Sequence, residues 1–264
     1  MEDEKYKKDI APLVRFFSSK SGDEYTSLDN YVENMPEGQK SIYYVTGDGK
    51  EKAALSPVIE KFASRGYEVL YMVEPLDEIT AQTLEEYKDF KIVDATKEGV
   101  SLDDDDDEET KKKKEKLNED FSSLREYLEA TLSGKIQKVV VTDLLTDSPA
   151  ALVQGAYGMS PTMQKYMKAQ SVALGATGDV PGMDSLNQAV LEINPNHPIV
   201  QDLNRMVEND KDSDETKNFA SLMYDVASMT GGYELSDTGD FAKRVMALMT
   251  TKANNGGVQD AEIV

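Results

Sequence analysis

Gly47-Asp48-Gly49 is the segment whose residue types come nearest to a phosphate-binding turn, because it follows an apolar run and precedes a predicted helix. In the GxGxxG pattern, glycines let the phosphates of a dinucleotide approach backbone N–H groups at the start of a helix. The pattern is incomplete here, since Lys52 stands where the third glycine would be. We therefore interpret the segment as an ordinary strand-to-helix turn, and a nucleotide-using α/β enzyme remains an alternative.

The sequence contains few residues that could perform acid–base, thiol or metal chemistry. His197 is the only histidine and the chain has no cysteine, so neither a nucleophile–base pair nor a metal cluster can be built around them. We expect His197, which precedes Pro198, to cap a helix or lie on the surface. The acidic run 103–109 lacks the central glycine and alternating ligands of a calcium loop, which favours a solvated linker. We predict no catalytic, cofactor-binding or metal-binding residue.

Residues 159–170 instead suggest protein binding. Ser160 can cap a helix and Pro161 fits its first position. One face of that helix then carries Met163, Tyr166, Met167 and Gln170. Methionine adapts to surfaces of many shapes, so this face predicts a helix that contacts varied apolar partners, with burial in an irregular core as the alternative. Glycine-rich flanks, including 175–182, predict a loosely tethered helix.

Composition excludes several functions. The formal net charge of −21 opposes binding to nucleic acids or anionic membranes, because both are polyanions. No apolar run is long enough to span a bilayer, and the acidic N-terminus lacks the apolar core of a signal peptide. The absence of cysteine fits a reducing compartment. A length of 264 residues suggests about two domains.

The first hundred residues alternate predicted strands and helices. The strands are 13–17, 41–46, 67–73 and 90–94, and the helices between them are 26–35, 50–65 and 75–87. This alternation predicts a parallel-type sheet with helices on its faces, so residues 1–100 should form a small α/β/α sandwich. Within the third helix we expect Ile79, Leu84 and Tyr87 to pack inward.

A charged linker, 101–114, should lead into a second, α+β domain at 115–252. Its first helix should bury one apolar stripe: Leu117, Phe121, Leu124 and Leu128. Strands are predicted at 135–142, 150–154 and 188–193, the first two paired with each other. The helix after His197 should pack Pro198, Ile199, Leu203, Met206 and Val207.

The last two predicted helices form an αα-hairpin joined at Gly231-Gly232. Their apolar stripes are Phe219, Leu222, Met223, Val226 and Met229 on the first helix, and Phe241, Val245, Leu248 and Met249 on the second. Two such hairpins could bury these stripes in a four-helix bundle, so we predict a homodimer. Residues 253–264 show no periodicity and are predicted to be a disordered tail.

Four separated blocks, 26–46, 68–78, 163–170 and 191–198, resemble the heat shock protein 90 family in the family's own order. The resemblance covers nearly the whole chain. It implies that the chain corresponds to the last α/β part of the middle domain plus the C-terminal dimerisation domain. The ATPase domain, with its ATP and magnesium, would then lie outside this chain, and no cofactor is expected here.

The same resemblance assigns two sets of residues. The family's client-contacting helix corresponds to Met159, Met163, Tyr166 and Met167, and its dimerising helices correspond to the two hairpin stripes. Many members have Trp at the position of Met159, and Lys165-Tyr166 replaces a common Arg-Ile/Leu pair. A purely structural dimerisation domain, with the methionine helix buried, is the remaining alternative.

The resemblance also has implications for the partners of the protein and its location in the cell. The implied partners are a second copy of the chain and unfolded or partly folded clients. The chain ends in Ala261-Glu262-Ile263-Val264, without the Met-Glu-Glu-Val-Asp peptide that recruits tetratricopeptide-repeat co-chaperones, although other co-chaperones remain open. Arg15-Phe16-Phe17 and the 191–195 block most resemble organellar members, which favours the plastid stroma, with the cytoplasm as the alternative.

Overall fold

The computed structural model describes residues 4–100, 102, 108–156, 158–175, 189–235 and 237–256. In the first half, the helices are α1 (Glu4–Ile10), α2 (Leu28–Glu33), α3 (Lys50–Ala54), α4 (Glu60–Ser64) and α5 (Pro75–Leu84), with 3-10 turns at Ala11–Leu13 and Pro57–Ile59. The strands are β1 (Arg15–Ser18), β2 (Thr26–Ser27), β3 (Ser41–Thr46), β4 (Val69–Met72), β5 (Glu86–Tyr87) and β6 (Phe90–Asp94).

These strands form one six-stranded sheet in the order β2-β1-β4-β3-β6-β5. The centre is parallel, as predicted, because β3 pairs in parallel with both β4 and β6. The edges are antiparallel. The helix predicted to reach Tyr87 ends at Leu84, and β5 turns back onto β6 through Lys88 and Asp89, whose φ angles of 49° and 69° suit a tight hairpin.

The second half contains α6 (Glu108–Asp120), α7 (Ser122–Thr131), β7 (Ile136–Val141), β8 (Ala150–Val153), α8 (Pro161–Ala173), β9 (Ala189–Ile193), α9 (Pro198–Asp210), α10 (Asp214–Thr230) and α11 (Thr238–Gly256). The predicted order of an α/β unit followed by an α+β unit with a terminal helical hairpin is confirmed. The last helix continues to Gly256, beyond the predicted end at 252. Residues 257–264 lie outside the described residues, as do 176–188 of the glycine-rich segment.

The predicted pairing of 135–142 with 150–154 is wrong. The sheet order is β7-β9-β8, so β9 lies between them, parallel to β7 and antiparallel to β8. All five residues of β9 and all four of β8 are buried, so burial does not decide which of the two strands is central. Strands adjacent in sequence are only the usual pairing partners, and here the later strand β9 pairs with both earlier ones.

Three predicted core residues, Ile79, Pro198 and Ile199, are exposed because their helices are rotated slightly from the predicted phase. On α5 the buried residues are Glu78, Ala81 and Leu84, and Ile79 faces solvent. On α9 the buried residue is Val200 rather than Ile199. None of the described helices is both long and apolar enough to cross a membrane.

One of the three hydrophobic clusters is shared by the two halves of the chain. It contains Tyr43 and Phe62 from the first half, and Leu144 and Val190 from the second. Leu102, only 1% exposed, belongs to the same cluster and directly precedes the acidic run. The boundary predicted near residue 100 therefore crosses a packed cluster rather than a gap between clusters.

Candidate protein-binding surfaces

The start of α8 follows the predicted local chemistry. Ser160 is the N-cap, with its Oγ accepting from the Met163 N–H at 3.0 Å, and Pro161 occupies the first turn. Ser160 itself is completely buried. The helix therefore starts at a fixed point in the interior and runs outward from it.

The client face, defined as Met159, Met163, Tyr166 and Met167, lies at least partly in solvent. Met159 is 37% exposed and Tyr166 43% exposed, and Met163 and Met167 are half-buried. Every residue of α8 keeps part of its surface accessible. A helix without a buried side chain contributes little to a core, so the alternative of a core helix loses support.

The hairpin face, defined as Val226, Met229, Met246, Leu248 and Met249, is a second exposed apolar surface. Val226 is 43% and Leu248 40% exposed, and the three methionines are more exposed still. Met246 was absent from the predicted stripe. Of the other predicted residues, Phe219, Leu222, Phe241 and Val245 are half-buried, whereas Met223 packs fully within the protein's own core.

The hairpin that carries this face is held together by an ion pair. Arg244 of α11 donates to Asp225 Oδ2 of α10 from Nη2 at 2.5 Å and from Nε at 3.1 Å. Asp225 is buried and Arg244 is largely covered. Because both nitrogens bind one carboxylate, the pair fixes the relative rotation of the two helices.

The Gly47-Asp48-Gly49 turn is occupied by packing and ion-pair contacts. A Cβ added at Gly47 would lie 2.8 Å from Ala53 N and Cβ, so the glycine serves close packing of α3 on the turn. The cations of α3 are paired, Lys50 with Asp23 and Lys52 with Asp48. These contacts favour the interpretation of the segment as an ordinary strand-to-helix turn.

Polar contacts join the two halves around the shared cluster. Glu60 Oε2 on α4 accepts from the N–H groups of Thr146, Asp147 and Ser148 at 2.7, 2.9 and 3.2 Å. Burial acts to raise the Glu60 pKa, but these bonds and the Ser148 hydroxyl outweigh it and hold the pKa below its usual value. Lys61 pairs with Asp143 at 2.6 Å. Such contacts give the junction a defined geometry.

Two buried carboxylates lie where α5, β6 and α8 meet. Glu78 on α5 accepts from the Ser160 hydroxyl across the junction, and Asp94 accepts from Thr96 and from Gln154 Nε2. Burial raises the pKa of both carboxyl groups, opposed by the hydrogen bonds from Ser160 and Thr96 respectively. Neither contact was predicted from the sequence, because Glu78 and Ser160 are 82 positions apart and Asp94 and Gln154 are 60 apart.

His197 caps α9 as predicted, with Nδ1 accepting from the Ile199 N–H at 3.2 Å. Within the part of the chain that is described, no three His, Cys, Asp or Glu side chains are grouped closely enough to hold a metal ion.

The Hsp90 protein family model matches residues 1–263. Heat shock protein 90-5, chloroplastic, of Arabidopsis thaliana is 39% identical over 264 residues, covering 99% of this chain and 33% of the relative. Heat shock protein 90-6, mitochondrial, of the same plant is 36% identical over 250 residues, covering 94% of this chain and 30% of the relative. Heat shock protein 83 of Leishmania donovani is 39% identical over 246 residues, covering 92% of this chain and 53% of the relative.

The chain thus spans about a third of the length of the two Arabidopsis relatives. Among solved structures, the middle domain of a Plasmodium falciparum heat shock protein is 44% identical, with a TM-score of 0.35, covering 36% of this chain and 40% of that one. The resemblance read from four sequence blocks is confirmed. With its family model matching from residue 1 to residue 263, this chain belongs to the Hsp90 family of heat shock proteins.

Proposed function

We propose that this chain is the homodimerising, client-contacting part of an Hsp90 chaperone and performs no chemistry of its own. The observation that carries the proposal is the client face, an apolar and mostly methionine surface on a helix without a buried side chain. Flexible methionine side chains fit many partners, which suits binding to unfolded chains.

ATP hydrolysis belongs, in this proposal, to residues outside this chain, with ATP and magnesium bound there. The paired cations and the packed glycine at Gly47-Asp48-Gly49 support this view, because they favour an ordinary turn over a phosphate-binding one. An organellar location is proposed because two similar relatives are named as chloroplastic and mitochondrial, with the plastid stroma favoured.

The test replaces exposed apolar side chains of the client face. Met159→Ser with Tyr166→Ser should weaken the ability of the chain to suppress aggregation of a heat-denatured client, because apolar contact area is lost. Folding should remain nearly intact, since both side chains are already exposed. Light scattering of the client and circular dichroism of the variant measure the two effects.

A matched control exists in the first half of the chain. Ile10 and Leu13 are similarly exposed apolar residues, so Ile10→Ser with Leu13→Ser removes comparable surface far from α8 in sequence. Client suppression should be unchanged in this control. Equal loss in both variants would show general stickiness, and a large loss of stability in the α8 variant would show a core helix; either result contradicts the proposal.

A further inference from the structure

Glu78 is a carboxylate buried at the junction of the two halves. It is 2% exposed, and within the described part of the chain its hydrogen-bond partners are the uncharged Gln82 and Ser160, while the charge of Lys97 acts on it without a hydrogen bond. Its Oε1 accepts from Gln82 Nε2 at 3.1 Å, and its Oε2 accepts from the Ser160 hydroxyl. Burying a carboxylate without a cation is costly, so the two hydrogen bonds must offset a real penalty.

The hydroxyl of Ser160 takes part in both contacts that define the start of α8. A serine hydroxyl has one proton to donate and lone pairs to accept with. Donating to Glu78 fixes the direction of that proton and leaves a lone pair for the Met163 N–H, which lies 3.0 Å away. Glu78 thereby orients the N-cap of α8 from another part of the fold.

Ser160 stands directly beside Met159 and one turn before Met163 on the client face. Since Ser160 is completely buried, its attachment to α5 decides where the helix leaves the interior and in which direction the client face points. Nearby, Gln154 Nε2 donates to Thr96 Oγ1 at 2.6 Å without reaching α8. Farther along α8, Lys165 pairs with Asp48 at 3.8 Å and Lys168 with Glu234 at 3.6 Å, but these four side chains are more than a third exposed, whereas the Glu78–Ser160 contact is buried.

We propose that Glu78 is a positioning residue for client binding: its hydrogen bond to Ser160 anchors the first turn of α8 on α5 and aims the client face outward. The proposal rests on the proposed function of α8. It requires an acceptor oxygen at position 78, not a negative charge. Glutamine keeps that acceptor, whereas leucine has similar volume and removes it.

The experiment uses the full chain and four variants: Glu78→Gln, Glu78→Leu, Ser160→Ala and the double variant Glu78→Leu/Ser160→Ala. Amide hydrogen exchange at Met163 and client suppression are measured for each. We expect Glu78→Leu and Ser160→Ala each to speed Met163 exchange by about fivefold or more, the ratio expected from losing one helix cap. The double variant should be little worse than either single one, because both remove the same contact. Glu78→Gln should resemble the wild type in both measurements.

Ser27→Ala is the control, since Ser27 caps α2 by accepting from Asn30 N–H at 3.1 Å without contacting α8. It should speed exchange in α2 and leave client suppression intact. Unchanged Met163 exchange in a folded Glu78→Leu, or equal damage from Glu78→Gln, overturns the proposal. If Glu78→Leu fails to fold, Glu78→Ala, which also lacks an acceptor at position 78, replaces it in the comparison with Glu78→Gln.

The two proposals fail differently. If the wild-type chain suppresses no aggregation, the client function fails, and Met163 exchange alone then decides whether Glu78 anchors the helix. If suppression is present and lost in the Met159→Ser/Tyr166→Ser variant but unaffected by Glu78→Leu, the client face stands and Glu78 does not position it.

Discussion

The hairpin face should be the interface of a homodimer, and Val226→Asp with Leu248→Asp tests this. In the single chain, 43% of Val226 and 40% of Leu248 remain exposed, so about two fifths of each side chain is left for a partner to cover. Full burial of such a side chain stabilises by about 1.5–3 kcal/mol, which gives roughly 0.6–1.2 kcal/mol for the exposed part.

A symmetric dimer contains each substitution twice, so four side chains are affected. The loss of apolar contact alone is then about 2.4–5 kcal/mol, or roughly two to three powers of ten in the dissociation constant. Four introduced carboxylates facing one another in the interface increase the effect further. The variant should be a monomer at micromolar concentration.

Sedimentation velocity measures the association, and circular dichroism measures the fold. The helical content of the monomeric variant should be retained, because both substituted side chains already contact solvent in the single chain. Ile10→Asp with Leu13→Asp, which alters similarly exposed residues far along the sequence, should leave the dimer intact. A wild-type chain that sediments as a monomer, or a double variant that stays dimeric, would refute the assignment of the interface.

Three further perturbations follow. Arg244→Met leaves Asp225 buried without its partner and should lower the free energy of unfolding, measured in urea, by up to about 3–5 kcal/mol. Lys243→Met, which breaks an exposed pair with Asp240, should change this free energy little. Equal effects of the two substitutions would contradict the role of the buried pair. Because burial makes the Glu78 pKa higher in the folded chain than in the unfolded one, wild-type stability falls as pH rises through that interval. Glu78→Gln should therefore raise the melting temperature at neutral pH and give no such gain below about pH 4, a pattern that a pH series of thermal melts would detect or exclude. Gly47→Ala places a Cβ against Ala53 and should destabilise by about 1–3 kcal/mol, so an unchanged urea midpoint would show that the turn has room for a ligand.

The sequence predicted best what short-range chemistry decides. Ser160 and Pro161 define the start of α8, and His197 the start of α9, because an N-cap acts within three residues of itself. The β3 strand has the predicted bounds, Ser41–Thr46, since its β-branched and aromatic residues are bounded by turn residues.

Features that depend on contacts between residues far apart in the sequence were harder to predict. The insertion of β9 between β7 and β8 was not predicted, because strands adjacent in sequence are only the usual pairing partners and both β8 and β9 are buried along their whole length. The rotation of α5 could not be foreseen, because Glu78 turns inward to meet Ser160 and a glutamate is not counted as a core residue. Exposure of Met246 likewise depends on how α11 crosses α10.

The shared cluster also bears on how the protein acquires its structure. The cluster draws residues from both sides of the acidic run, namely Tyr43, Phe62, Leu144 and Val190. Neither side alone can therefore remove the apolar surface of this cluster from water. During synthesis, a chain that has emerged only as far as residue 100 therefore presents an unfinished core until β8 and β9 follow. Two separate chains ending at residue 102 and starting at 108 should each aggregate alone and should reconstitute one cooperative unit when produced together.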